Sequence, residues 1–150
     1  MKSNVKISSA MFLAMCMMFV MSISIGCQKD EKDDVDARDG YIGRYEVEET
    51  LTSDGGNKSY DNYTIRIEES DEKKQDILIY NFFGLGNSSV AIATVKGNSF
   101  TIPRQEISDG SETGEIKGSG TKKGSTLTYT FDVTLEDGSH ASVKCVAEKM

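Results

Sequence analysis

Thr126-Leu127-Thr128-Tyr129-Thr130-Phe131-Asp132-Val133-Thr134-Leu135 decides the fold. Every second residue is apolar, and every residue between is threonine or aspartate. That is the two-residue period of a strand with one face buried and one face wet. A helix would scatter the same five apolar side chains around its whole circumference. Turn chemistry brackets the run: Lys122-Lys123-Gly124 before it and Glu136-Asp137-Gly138 after it.

The same alternation recurs outward from this stretch, and no convincing helical period appears after Gly40. Tyr45, Val47 and Leu51 alternate with Arg44, Glu46, Glu48 and Thr50, and Tyr63, Ile65 and Ile67 alternate with Thr64, Arg66 and Glu68. Residues 76–82, 88–96, 99–104, 115–121 and 139–148 complete a set of eight predicted strands. Pro103 is expected to mark a strand end or an edge, because proline has no N–H for a ladder. The connections are mostly short, which forces antiparallel neighbours. An all-β antiparallel eight-stranded meander closing into a barrel is therefore expected, since closure leaves no sticky edge. A two-sheet β-sandwich is the alternative, and the strand pattern does not separate them. An eight-stranded barrel is just wide enough to hold one small ligand. Tyr45, Val47, Tyr63, Ile65, Phe100, Ile102, Tyr129, Phe131 and Val133 are the expected inner wall. Tyr45, Tyr63, Phe100, Tyr129 and Phe131 are the candidate ligand-lining residues among them. Large aromatics argue for a filled interior, whereas Ala91, Ala93, Gly118 and Gly120 would leave room.

The amino-terminal part reads differently. Lys2 and Lys6 precede an unbroken apolar run of 11 residues, Met11 to Met21, and a small-residue approach to Cys27. Eleven residues make a helix of about 16 Å, short of the roughly 30 Å hydrocarbon core. A removable secretory leader over residues 1–26 is expected. An uncleaved anchor is the other reading, because Ile7 to Ile25 is 19 residues if the serines are tolerated. Residues 27–39 read as a charged tether and residues 40–150 as one folded domain. Removing Lys2 and Lys6 from the 17 basic residues leaves 15 against 24 acidic ones, net −9 for the mature chain. An acidic chain without a basic stripe argues against nucleic acid. A single histidine, His140, rules out a multi-histidine metal site, and no metal or cofactor is expected.

Ser24-Ile25-Gly26-Cys27 resembles the lipobox of bacterial lipoproteins. The resemblance implies cleavage after Gly26 and lipidation of Cys27; Ser24 departs from the leucine usual there. Two or more acyl chains give stable anchoring where one is marginal, so a processed Cys27 would hold the protein to a membrane. Gln28-Lys29-Asp30-Glu31 is similar to the export signal of Bacteroidota surface lipoproteins, which implies the outer face of the outer membrane. A plain solvated tether fits the same residues. The body resembles a lipocalin-like group of small Bacteroidota lipoproteins of uncharacterised function. The carrying residues are Gly43-Arg44-Tyr45, Val95-Lys96-Gly97-Asn98 with Thr101-Ile102-Pro103, Gly118-Ser119-Gly120-Thr121, and the hairpin from Tyr129 to Cys145. The signature tryptophan of the long-known lipocalins is absent, so their retinoid- and haem-carrying roles are not implied.

Catalytic constellations are missing. There is no Gly-x-Ser-x-Gly, His-Glu-x-x-His or P-loop pattern. His140 sits beside a turn on the face assigned to solvent. Asp34, Asp36 and Asp39 fail the calcium-loop pattern, with Arg38 at the fifth position and Tyr45 where glutamate belongs. Cys145 alternates with Val143 and Ala147 and is expected in the core. Glu49 shares the inward register of Val47 and Leu51, and a rim position near the Ser53 turn is expected for it, because charged residues are rarely fully buried. Residues 76–82 are apolar on both faces, and Phe83 and Leu85 follow among glycines. Ile77, Ile79, Phe83 and Leu85 are therefore a candidate partner surface, covered by the same chain or by another. The expected function is a surface-exposed, lipid-anchored, non-catalytic binding module for a small apolar or glycan ligand. A structural subunit docking an outer-membrane protein partner through the apolar strand is the alternative, and a carboxylate-based hydrolase is a third reading.

Overall fold

The structure, a computed structural model, describes residues 35–150. The expected cleavage at Gly26, the lipidated Cys27 and the export residues Gln28, Lys29, Asp30 and Glu31 lie outside the described residues. Eight strands follow one another: β1 (Gly43–Ser53), β2 (Lys58–Glu69), β3 (Asp76–Tyr80), β4 (Val90–Lys96), β5 (Ser99–Ser108), β6 (Thr113–Lys123), β7 (Thr126–Leu135) and β8 (His140–Lys149). Each pairs antiparallel with the next, and β8 pairs with β1, so the sheet closes into a barrel. Closure decides between the two expected architectures: this is one lipocalin-like eight-stranded sheet rather than a sandwich. Among the described residues, all eight strands and the core lie within the unit Val35–Met150.

The deciding stretch forms β7. Leu127, Tyr129, Phe131 and Val133 are buried in register, while Thr128, Thr130 and Asp132 face water. Gly118 and Gly120 of β6 lie opposite Phe131 and Tyr129. They do not leave room. A Cβ on Gly120 would overlap the Phe100 ring and Tyr129 Cβ, and one on Gly118 would overlap Phe131 and the Thr130 carbonyl. The glycines exist so that aromatic rings can fill the barrel at close-packed density.

β5 departs from expectation. Pro103 does not end it. The register on β6 shifts between Ile102 and Gln105, and the strand continues to Ser108. The irregularity leaves an unpaired position, which suits a residue with no N–H to donate. On its other side β5 meets β4 only through Thr94, Val95 and Lys96. Above that point the Gln105 side chain takes over the ladder: its amide accepts from Ile92 N at 2.8 Å and donates to Ile92 O at 2.7 Å.

The two barrel ends are closed differently. At the end holding the β2–β3 and β4–β5 connections, the amino-terminal segment forms a plug. Tyr41 is buried and donates to Gly97 O at 3.0 Å, and Tyr45 donates to Tyr41 O at 2.9 Å. Arg38 belongs to this plug and not to a tether, so the folded unit begins before Gly40. Its guanidinium donates to Ser70 O and Asp76 O and pairs with Asp36, whose carboxyl it holds down at about 2.

The opposite end is closed by the β3–β4 connection. The sequence expectation carried a strand through Phe82, but β3 stops at Tyr80 and Phe82–Gly84 is a short 3₁₀ turn. Phe82 is 0% exposed and packs on Phe131 with ring centroids 4.8 Å apart. Ile77 and Ile79 also point inward, at 0% and 2% exposure. Those two cannot offer a partner surface, because the closed sheet turns their face to the core. On the outer face of β3, Tyr80 is covered by the Arg66 guanidinium, 4.4 Å from the ring centroid.

Candidate functional site

A polar cluster sits inside the barrel beneath this turn. Glu49 of β1, Tyr63 of β2 and Cys145 of β8 project inward from adjacent strands. Tyr63 Oη donates to Glu49 Oε2 at 2.5 Å, and Cys145 Sγ lies 3.9 Å from the same oxygen and 4.0 Å from Tyr63 Oη. Tyr129 faces Cys145 across β7–β8. Its hydroxyl lies near the Cys145 thiol and the Tyr63 hydroxyl but forms no well-aligned hydrogen bond with either, a state that no other buried side-chain nitrogen or oxygen among the described residues shares.

Glu49 is 6% exposed, so the rim expectation for it fails. The strand is long enough at both ends that position 49 lies well inside the ladder with β2 and β8. Its surroundings differ from those of the other buried ionisable groups. Arg38 pairs with Asp36 and Glu69, and Asp76 accepts from Thr94 and pairs with Lys73. Glu49 has no ion-pair partner among the described residues and meets only weak acids. Burial raises its carboxyl above the ordinary glutamate value, against the opposing hydrogen bond from Tyr63. Burial likewise pushes the Cys145 thiol up to about 12 and lifts the Tyr63 and Tyr129 phenols. Cys145 is thus a buried, protonated core residue, as its register implied, and not a reactive thiol.

Aromatic rings form a column through the interior. Tyr41 meets Phe100 edge-on at 5.9 Å, Phe100 meets Tyr129 at 5.9 Å, and Tyr129 meets Phe131 at 6.4 Å. Phe82 and Phe83 complete it from the loop, with Phe83 edge-on to Phe131 at 5.4 Å. Of the candidate lining residues, Tyr45 and Phe100 sit toward the plugged base, while Tyr63, Tyr129 and Phe131 lie beneath the turn. Sequence reasoning missed Phe82 as an interior residue. The only local signal was the glycine pair Gly84 and Gly86 after it.

The turn is held under strain. Asn81 and Phe83 are left-handed at φ 58° and 60°. Asn81 tolerates this and is fixed by donating to Thr64 O at 2.7 Å and accepting from Gly86 N at 2.6 Å. Phe83 makes no such hydrogen bond and is held instead by its edge-on packing against Phe131; a bulky left-handed residue costs on the order of 1–3 kcal/mol. Burying the Phe82 ring returns roughly 1.5–3 kcal/mol. The two terms are comparable, and the turn is further tied by hydrogen bonds from Phe82 N to Ser89 O at 3.1 Å and from the Ser89 hydroxyl to Phe82 O at 3.3 Å. Beside it, Phe83 and Leu85 are half-buried and line a notch of about 140 Å³ whose other walls are Ile107, Gly114, Val133 and Leu135 together with Asp109, Glu112 and Thr113. His140 is exposed, 3.3 Å from the Thr134 hydroxyl. Among the described residues no helix is long and apolar enough to cross a membrane.

No family model matches the chain, and no curated protein matches it either.

Proposed function

We propose that the protein is a lipid-anchored, non-catalytic binding module that takes one small, largely apolar ligand inside its barrel beneath the Phe82–Gly84 turn. One observation carries this reading: the upper interior is filled by a loop-borne ring, Phe82, lying over a buried polar cluster with an unpaired hydroxyl. A ligand that displaces that ring gains apolar walls and a hydrogen-bond partner together. Lipid on Cys27 and the acidic stretch Gln28 to Glu31 would place the module on the outer face of the outer membrane.

The test is calorimetric titration of the unit Val35–Met150 with small aromatic probes, beginning with benzyl alcohol. Saturable one-site binding that strengthens in Phe82→Ala supports the reading. No uptake by either form of a cooperatively folded domain contradicts it. A second reading, docking of an outer-membrane protein, now rests on the notch beside Phe83 and Leu85 rather than on β3. Substitution there should then disrupt a complex without altering ligand uptake.

A further inference from the structure

Glu49 is a carboxyl group in the barrel interior with no cation beside it among the described residues. Two further facts point to a missing occupant. The Tyr129 hydroxyl is buried without a partner on the same wall, and three aromatic rings, Phe82, Phe131 and Tyr129, lie within 6.5 Å of one another above it. A counter-charge stabilises a buried carboxylate, and without one the carboxyl favours its neutral form. Aromatic faces attract organic cations. An unpaired tyrosine hydroxyl can accept from an N–H.

We propose that the ligand taken by this interior is a small organic ammonium, its charge paired with Glu49 and its apolar body in the space the Phe82 ring now fills. The inference deepens the binding reading and rests on it. An ammonium brings three donors. Glu49 accepts one, the Tyr129 hydroxyl accepts a second, and the Tyr63 hydroxyl is within reach of the same carboxylate. A neutral alcohol or sugar could bond the tyrosine but would leave Glu49 uncompensated, so the site discriminates by charge. The ligand need not be large, because one phenyl ring is what leaves.

The groups facing Glu49 are Tyr63 of β2, Cys145 of β8, Tyr129 of β7 and, opposite it on the β1–β2 ladder, the exposed Asp61. Only Glu49 and Asp61 are carboxyls, and the experiment must separate them.

The experiment compares benzylamine with its neutral isostere benzyl alcohol by calorimetry on the unit Val35–Met150 at pH 7. Wild type is expected to prefer the amine by at least about tenfold, the lower end of what a charge-assisted hydrogen bond contributes. Phe82→Ala should bind both probes more tightly and keep the preference. Glu49→Gln should lose the preference and Asp61→Asn should keep it. Wild type at pH 4, where the amine stays charged and Glu49 is protonated, should lose it too, a reading that needs no variant to fold. Equal affinity for the two probes in wild type overturns the ammonium inference and leaves the binding reading standing. A preference that survives in Glu49→Gln overturns it as well. If neither probe binds wild type or Phe82→Ala, the binding reading itself fails.

Discussion

Tyr63 reaches diagonally across the β1–β2 ladder to donate its hydroxyl proton to Glu49 Oε2 at 2.5 Å. Diagonal neighbours on one face of an antiparallel pair lie within reach of long side chains. The bond is short and partly buried, and no cation among the described residues supports it.

A pH dependence follows from the burial of that carboxyl, against which the Tyr63 bond works. The folded-state carboxyl of Glu49 is raised by burial. A raised carboxyl favours folding fully below its unfolded value, about 4.3, and that contribution is lost as pH rises through the folded value. Wild type should therefore lose thermal stability relative to Glu49→Gln as pH climbs from about 4.3 toward neutrality. Melting curves of both proteins across that range check this; parallel profiles would show that Glu49 is not held above its ordinary value.

Tyr129→Phe removes a buried hydroxyl that has no partner. Leaving such a group unsatisfied costs about 1–3 kcal/mol, so the variant should be as stable as wild type or more so by up to that amount. Its amine affinity should nonetheless fall. Urea denaturation together with calorimetry reads both quantities, and a clear loss of stability would mean that the hydroxyl already has a partner.

Gly120→Ala would force a methyl group into the Phe100 ring and Tyr129 Cβ. Overpacking of this kind costs about 1–3 kcal/mol or more. Thr128→Ala, on the outer face of β7, should stay within about 0.5 kcal/mol. Shifts in the denaturation midpoint distinguish the two, and a tolerated Gly120→Ala would imply free space in the barrel at that level.

Cys27→Ala removes the expected lipid acceptor. Incorporation of labelled fatty acid should stop and the protein should leave the membrane fraction. Alanine at Lys29, Asp30 and Glu31 should keep the lipid but protect the domain from protease added to whole cells. Continued labelling of Cys27→Ala would refute the anchor, and unchanged cleavage would reduce residues 28–39 to a spacer.

Much of the fold was legible because strand alternation is local. The pattern around Leu127 and Tyr129 states which face is buried, and the turns Gly97-Asn98 and Lys122-Lys123-Gly124 state where chains reverse. Closure into a barrel was an expectation from edge avoidance, settled only by the β1–β8 ladder. What stayed hidden was non-local. Gly118 and Gly120 read as empty space because the rings that fill them come from β5 and β7. Glu49 read as a rim residue because nothing nearby in sequence announces Tyr63 and Cys145 as its neighbours. Phe82 read as strand because its inward turn depends on left-handed residues at 81 and 83, which no periodicity reveals. Pro103 read as an end or an edge: the strand does not end there, and on its β4 side it is unpaired at that position.

Amide chemical-shift mapping of the unit Val35–Met150, titrated with benzylamine and benzyl alcohol, tests the central claim most directly. The expected result is saturable perturbation confined to Glu49, Tyr63, Tyr129, Phe131, Cys145 and the turn from Asn81 to Gly86, as Phe82 yields its place to the probe. Perturbations scattered over the outer face of the barrel, or restricted to the notch of Ile107, Val133 and Leu135 with Glu49 and Cys145 unmoved, would contradict binding inside the barrel.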